Sequence, residues 1–471
     1  MNLGKKTKIV CTIGPATETA EKLTELVDAG MNVMRLNFSH GDFAEHQKRV
    51  ENIRAVMKQT GKIVAILQDL GGPKIRTGEF KTTTVTLKAG DKFTFTTEQI
   101  VGDETKVSIN YPLLPKEVKV GGFILVDDGK KKFEITAIKG KEVITTCIVG
   151  GVTKGRRAVN LPGAYLSVSS ITEKDRKDLE FGIKNEVDFV ALSFVRRAAD
   201  IAELRALLDK AKSKAHIIAK IETPEALENI DEIIDLSDGV MVARGDLAVE
   251  IPAEEVPLAQ KLLIAKCNAV GKPVITATQM LESMIKSPVP TRAEVSDVAN
   301  AIIDGTDAIM LSEETTLGEY PVEAVKMMSK IAVRIESEVY THDTIAEYSE
   351  SHGVTDIVSQ SAVRATHNIG AKLIVALTRS GSSARMIARY RPAENVLALS
   401  DRAENANKLM LVFGVYPMVV PTFNNIEEIM DLVRKTAVAS KLVKKGDKAV
   451  IVAGMPFGKA KETNFILVET V

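Results

Sequence analysis

Short runs rich in Val, Ile and Leu alternate along this chain with longer segments whose apolar residues recur at three- and four-residue spacing. That is the pattern of strands and amphipathic helices in βα order. It predicts strands over 8–13, 33–38 and 63–70, with helices over 18–29 and 43–58 between them. After an interruption the alternation resumes with a helix over 173–184. Strand and helix then follow in turn over 188–194, 201–211, 216–222, 224–236, 239–244, 254–269, 273–278, 293–303, 308–312 and 321–336. Eight strand–helix pairs in this length predict an α/β fold of the closed (β/α)8 TIM-barrel class, with an open doubly wound sheet as the alternative.

The interruption reads differently. TTTVTL, FTFTT, GFILVDD, FEITAI and EVITTCIV, separated by Gly, Lys and Asp turns, predict an all-β cap domain inserted after the third strand and hinged near Thr77 and Pro162. Beyond a polar stretch over 341–355, apolar runs at 373–378, 396–400, 415–420, 449–453 and 465–469 predict a separate open α/β sheet. The expected domains are therefore a barrel over 1–77 and 161–345, a cap over 78–160, and a C-terminal domain over 346–471.

Composition narrows the function. The 62 basic and 62 acidic residues cancel, so no global field draws the chain to nucleic acid or an anionic membrane, and any phosphate chemistry must be local. Cys11, Cys147 and Cys267 lie far apart without metal-ligand spacing, which argues for core positions in a reducing compartment. The opening MNLGKKTKIVCTIG lacks the apolar region of a signal peptide, and no apolar run is long enough to span a bilayer; the expectation is a soluble cytoplasmic protein.

In a barrel, polar groups that close the strands converge on one face. Here Arg35, Asn37, Ser39 and His40 close the second strand, and Asp69 closes the third with Arg76 shortly beyond. Lys220 and Glu222 close the fifth, Arg244, Gly245 and Asp246 follow the sixth, Thr278 the seventh, and Ser312 and Glu314 the eighth. Lys220 and Glu222 are two apart on a strand and point the same way. Alone they are equally a buried ion pair. With Asp246 added, two carboxylates on neighbouring strands suit a hard cation such as Mg²⁺, and Lys220 beside it suits the charge of a transferring phosphoryl group. The turn at 243–246 is either a helix start whose N–H groups hold an anion or a plain tight turn. His40 and His46 read first as polar loop and helix positions, and the run 129–132 as a solvated basic turn.

The strings MNVMRLNFSHG, GGPKIRTG, VDDG, NLPG, IIAKIET, VMVARGDLAVE, VITATQMLESMI, PTRAEVSDVANAIIDGTDAIMLS and GEYP, in this order, resemble pyruvate kinases of the bacterial type. The resemblance implies a barrel, a cap and a C-terminal regulatory domain, with no further domain appended. It implies transfer of phosphate from phosphoenolpyruvate to ADP in glycolysis, giving pyruvate and ATP, with Mg²⁺ or Mn²⁺ as cofactor. By position, Lys220 would stabilise the phosphoryl group and the enolate, Glu222 and Asp246 would ligate Mg²⁺, and Arg35 would hold the phosphate. Gly245, Asp246 and Thr278 would bind the carboxylate, with Thr278 in the proton relay; Pro15, His40, Arg76 and Arg157 would contact the nucleotide. Two departures stand out: Arg156-Arg157-Ala158 replaces the usual Lys-Gly pair, and Glu313 replaces a small residue.

Many members of this family bind K⁺ near the substrate through an Asn, a Ser, an Asp and a Thr carbonyl. Asn37, Ser39 and Asp69 match, but Leu70 replaces the Thr, and Lys74 stands in the Gly-Pro-x-Ile-Arg string where K⁺-dependent members carry Glu. A lysine ammonium there would serve as a tethered monovalent cation, so K⁺ is expected not to be required; a surface lysine is the plain alternative. Thr378, Ser380, Gly381, Ser382 and Ser383 follow a strand and open a helix, so their hydroxyls and N–H groups suit a phosphate. The resemblance places a phosphate-bearing activator there, a sugar phosphate or nucleoside monophosphate, and implies a homotetramer. Two other functions fit the scaffold: a non-catalytic metabolite sensor, and a Mg²⁺-dependent pyruvate lyase or aldolase.

Overall fold

The computed structural model describes residues 4–341, 353–422, 425–456 and 462–471. Eight parallel strands close into a barrel: β1 (Lys8–Thr12), β2 (Val33–Asn37), β3 (Ala65–Asp69), β4 (Phe189–Leu192), β5 (His216–Ile221), β6 (Gly239–Ala243), β7 (Val274–Ala277) and β8 (Ala308–Leu311). Each pairs with its neighbours in sequence, and β8 returns to β1. The strands read as continuous apolar runs because both faces are buried. Val10, Val33, Leu67, Ala191, Ile218, Met241, Ile275 and Met310 fill the interior, while Ile9, Met34, Ile66, Val190, Ile217, Val240, Val274 and Ile309 pack outward on the helices.

That two-residue alternation decides what reaches the mouth. Continuing each inward column by one step gives Thr12, Arg35, Asp69, Ser193, Lys220 and Ser312, with the small Ala243 and Ala277 on β6 and β7.

Observed helices begin where capping groups occur, as at Thr19, Asp42, Thr172 and Thr291, each accepting an N–H from the first turn. One expected helix is divided: 224–236 forms Pro224–Glu228 and Ile230–Leu236. Asn229 interrupts it, its amide donating to the Arg196 and Glu225 carbonyls at 3.1 and 3.0 Å.

The inserted domain is a six-stranded, mostly antiparallel sheet beside a two-stranded ribbon. The short strands Lys106–Ser108, Gly151–Thr153 and Val159–Asn160 go beyond the five expected ones, being too short to show a period. Its core gathers Phe93, Phe95 and Phe133. At its foot the outgoing and returning chains pair, Arg76 against Ala158, with Val159 N–H donating to Ile75 O at 2.9 Å. The basic turn is only partly solvated, contrary to expectation. Lys131 is buried and paired with Asp127, and Lys132 lies over the Phe123 ring at 4.0 Å.

The C-terminal domain is an open sheet of β9 (Leu373–Leu377), β10 (Asn395–Ser400), β11 (Val415–Val419), β12 (Lys448–Ala453) and β13 (Phe465–Thr470). The order is β11-β10-β9-β12-β13, with only β13 antiparallel. The expected division at 345/346 lies outside the described residues. The domain docks on the face where barrel strands begin, away from the polar mouth. Gly414 N–H donates to Lys6 O at 3.0 Å, Lys6 Nζ donates to Pro392 O at 3.0 Å, and Arg391 pairs with Asp307 just before β8. All three cysteines are buried. No helix among the described residues is long and apolar enough to cross a membrane.

Candidate active site

The mouth is organised around Asp69 at the end of β3. Its Oδ2 receives Arg35 Nε and Nη2, both at 2.7 Å, and its Oδ1 lies 3.3 Å from Lys220 Nζ. Arg35 Nη1 also donates to Thr12 Oγ1 at 2.7 Å. Lys220 Nζ donates to Ser193 Oγ at 2.6 Å and pairs with Glu222 Oε1 at 2.9 Å. Ser193 passes its own proton to Leu70 O, and Phe194 N–H donates to Glu222 Oε2. Burial opposes charge on Lys220, but Asp69, Glu222 and Asp246 outweigh it and raise its pKa above the ordinary lysine value. Burial, with Asp246 adding to it, pushes the Glu222 carboxyl up. The site is thus a preorganised charge cluster built around the Lys220 ammonium.

Asp246 sits in the first turn of a helix over Arg244–Glu250, so the turn is a helix start. Gly245 N–H donates to Thr278 Oγ1 at 2.7 Å. Thr278 has φ +71°, a strained position for a β-branched residue. Arg244 sustains it, donating to Thr278 O at 2.8 Å while gripping Asp297 with both ends at 2.6 and 2.7 Å. Gly72, at φ +66°, passes so close to the β4 end that a Cβ would stand 2.9 Å from Phe194 and 3.0 Å from Ser193.

Pro15 and His40 line one cavity of about 460 Å³ together with Arg35, Asn37 and Glu313. Burial, with Lys74, Arg76 and Arg35 nearby, holds the His40 imidazole below its usual range. Arg76 and Arg157 instead stand at the foot of the cap, where Arg157 Nη1 is 3.6 Å from Asp127. His46, expected as a polar helix position, is buried and stacked on Phe38 at 4.1 Å.

Asn37 and Asp69 are register partners on β2 and β3, and Asn37 Oδ1 accepts Ser39 N–H at 3.1 Å. Burial, then Lys220, lower the Lys74 pKa, while Asp246, Glu222 and Asp69 raise it, so its ammonium feels the central carboxylates.

Sequence reasoning misses Ser193 and Asp297 and names Arg244 only as a polar group after the sixth strand, without its role. Ser193 closes β4, so the strand-end rule reaches it; Asp297 lies mid-helix and carries no local signal. In the C-terminal domain the five residues expected to hold an effector phosphate leave β9 and open the helix Ser382–Ala388. Thr378 Oγ1 accepts Gly381 N–H at 2.9 Å, Ser380 Oγ accepts Ser382 N–H at 3.4 Å, and Ser383 shares a hydrogen bond with Thr463 at 2.7 Å.

A capped (β/α)8 barrel with two cations and three carboxylates facing one mouth defines an enzyme for small, multiply charged anions. A family model described as "Pyruvate kinase, barrel domain" matches residues 4–325, and one described as "Pyruvate kinase, alpha/beta domain" matches 356–469. The chain is 50% identical over 473 aligned positions to a pyruvate kinase of Geobacillus stearothermophilus, covering 99% of this chain and 80% of that one. It is 45% identical over 471 positions to a pyruvate kinase of Clostridium acetobutylicum, covering 99% and 100%. A crystal structure of a pyruvate kinase from Cryptosporidium parvum superposes with a TM-score of 0.93 at 38% identity, covering 100% of this chain and 97% of that one. This chain belongs to the pyruvate kinase family, and it is a phosphotransferase.

Proposed function

We propose that this protein transfers the phosphoryl group of phosphoenolpyruvate to ADP, giving pyruvate and ATP. The observation that carries the reading is the Arg35–Asp69–Lys220–Glu222 cluster at the mouth of a family barrel. Glu222 and Asp246 are hard oxygen donors, a set that fits Mg²⁺ or Mn²⁺. Among the described residues no group of three or more His, Cys, Asp or Glu could hold a metal, so water and substrate oxygens would complete the shell. When bound, the cation supplies neutralising charge to phosphate and carboxylate oxygens. Arg35, clamped by Asp69, presents its guanidinium to the phosphate. Lys220, held by Ser193, Asp69 and Glu222, keeps its ammonium charged and oriented for the phosphoryl oxygens and then the enolate oxygen. Thr278 Oγ1 would deliver the proton that converts enolpyruvate to pyruvate, and Pro15, His40, Arg76 and Arg157 would contact the nucleotide. A coupled assay of pyruvate formation from phosphoenolpyruvate and Mg²⁺ tests this. Formation at equal rate without ADP would exclude the kinase.

The same reading takes Lys74 as the tethered monovalent cation. Near-full activity is expected with tetramethylammonium as the only added monovalent cation, and Lys74→Glu should acquire K⁺ stimulation. Rates across a KCl series decide it; strong K⁺ dependence of the unmodified protein would overturn it.

The effector loop leaves β9, whose neighbours β10 and β12 lie on opposite sides, at the switch point where open α/β sheets bind ligands. A sugar phosphate or nucleoside monophosphate bound there is expected to lower the KM for phosphoenolpyruvate. If Ser380→Ala with Ser383→Ala leaves every such activation intact, the site is elsewhere. The domain limits set out above, assembly as a homotetramer and a cytoplasmic location complete the reading; sedimentation tests the assembly.

A further inference from the structure

The cavity beside Arg35 carries a carboxylate for which the fold supplies no partner. Glu313 and Glu45 both line it. Glu45 is held by Arg49 at 3.5 Å. The next residue in the chain, Glu314, is buried and accepts N–H groups from Leu281 and Ser312 at 3.1 and 2.8 Å. Glu313 stands exposed, and among the described residues its carboxylate has no hydrogen-bond donor or cation within bonding distance.

Its backbone is nevertheless firmly set. Thr315 Oγ1 donates to Thr12 O at 2.8 Å, Thr17 Oγ1 to Thr315 O at 2.6 Å, and Ala16 N–H to Thr316 O at 3.0 Å. The short helix Glu313–Thr316 is thereby fastened to the segment leaving β1, so closely that a Cβ on Gly14 would stand 2.8 Å from Thr316 Cβ. Leu317 follows Glu313 by one turn, its N–H donating to Glu313 O at 3.1 Å, so the two side chains share a face. Leu317 is 65% exposed despite its size, and Pro15, on the fastened segment, is exposed on the same cavity.

The phosphates of a nucleotide belong at the end of this cavity where Arg35 presents its guanidinium, and like charge keeps them away from Glu313. The rim is left to the nucleoside. Apolar Leu317 and Pro15 suit the face of a planar base, and an unpartnered carboxylate suits N–H donors on its edge. A carboxylate only accepts. Guanine sets N1–H beside its 2-amino group, one donor for each oxygen, whereas adenine sets its 6-amino group beside N1, whose lone pair would face the second oxygen.

We propose that Glu313 reads the base of the acceptor nucleotide, and that the protein accordingly favours GDP over ADP. The proposal rests on the reading of the protein as a phosphoenolpyruvate-dependent kinase whose nucleotide occupies this cavity. It is tested by measuring kcat/KM for GDP and ADP side by side with phosphoenolpyruvate and Mg²⁺ in excess. GDP should be preferred roughly 5- to 10-fold, the lower part of the range for a two-bond base contact because the rim is open to water. Glu313→Ala should bring the two nucleotides towards parity by raising the KM for GDP. Glu313→Gln, which offers one acceptor and one donor, matches the 6-amino group and N1 of adenine and should turn the preference towards ADP.

Equal use of GDP and ADP by the unmodified protein, or a preference that both variants leave unchanged, overturns the proposal. The 2′-deoxy forms of both nucleotides should show the same preference; its loss would place Glu313 on the ribose and overturn the reading of the base. Calorimetric binding of GDP and ADP without phosphoenolpyruvate probes the same contact with no turnover. A GDP preference there, together with pyruvate formation that needs no diphosphate, would sink the kinase reading and leave the base contact standing. Pyruvate formation that depends on a diphosphate but makes no distinction between the two bases would sink only the proposal for Glu313.

Discussion

Lys220→Met is expected to lower kcat by roughly 100-fold or more while phosphoenolpyruvate and Mn²⁺ still bind. Methionine matches the length of the lysine stem and fills the same inward column of β5, above Ile218, so packing of the barrel is retained. What disappears is a charge that Asp69 and Glu222 hold firmly on the ammonium and that Ser193 orients at 2.6 Å. A cation fixed in this way needs no reorganisation when charge develops on the substrate, which is why its loss should fall on the chemical step. Removing it also relieves attraction within the cluster, so Mn²⁺ affinity should hold or tighten as Glu222 and Asp69 lose a competing cation. Stopped turnover with Mn²⁺ affinity measured in parallel separates the two effects. Unchanged kcat with a raised KM would make Lys220 a binding residue only.

The second large effect lies at the other end of the barrel. Arg391→Met should destabilise the docking of the C-terminal domain by about 3–5 kcal/mol. Arg391 and Asp307 are both nearly fully buried and face each other through two contacts of 3.1 Å. Arg391 Nη2 also donates to Asn268 Oδ1 and Gly305 O, each at 2.6 Å. Asp307 in turn accepts N–H groups from Phe413 and Val274, so one carboxylate ties the C-terminal domain to the starts of β7 and β8. Losing the guanidinium leaves a buried carboxylate without its main counter-charge. Because a multidomain chain need not unfold in one step, the quantity to follow is the first transition in urea. The chain has no tryptophan, and Tyr340, packed on Phe413 at 4.8 Å, is a local reporter of that junction. Adding Asp307→Asn should recover part of the loss, since both charges are then gone. A cost below about 1 kcal/mol for Arg391→Met would place the docking energy elsewhere.

The barrel was legible in the sequence because its strands carry a signal that tertiary context cannot disguise. Each is a short apolar run ended by polar groups, and eight of them separated by helical periods have few other ways to close. Strand alternation likewise placed Lys220 and Glu222 on one side. The strings spanning the strand ends identified the family for the same reason: the chemistry is concentrated where local sequence is most constrained. What the sequence left open are the relations that join distant segments. That Asp69 faces both Arg35 and Lys220 rather than standing free depends on the register of three strands. Lys131 and His46 look solvated by composition, yet each is buried against partners, Asp127 within one turn of sheet and Phe38 from β2's end, because closing the fold leaves them no water. Asp297 and Asn160 fall within the strings that carry the family resemblance, yet neither shows in sequence which residue it meets, Arg244 in one case and Glu250 in the other, each tens of positions away. Periodicity and chain-end chemistry are properties of neighbours in sequence and survive in one dimension. Pairing of buried charges is a property of neighbours in space, and the tertiary structure alone decides it.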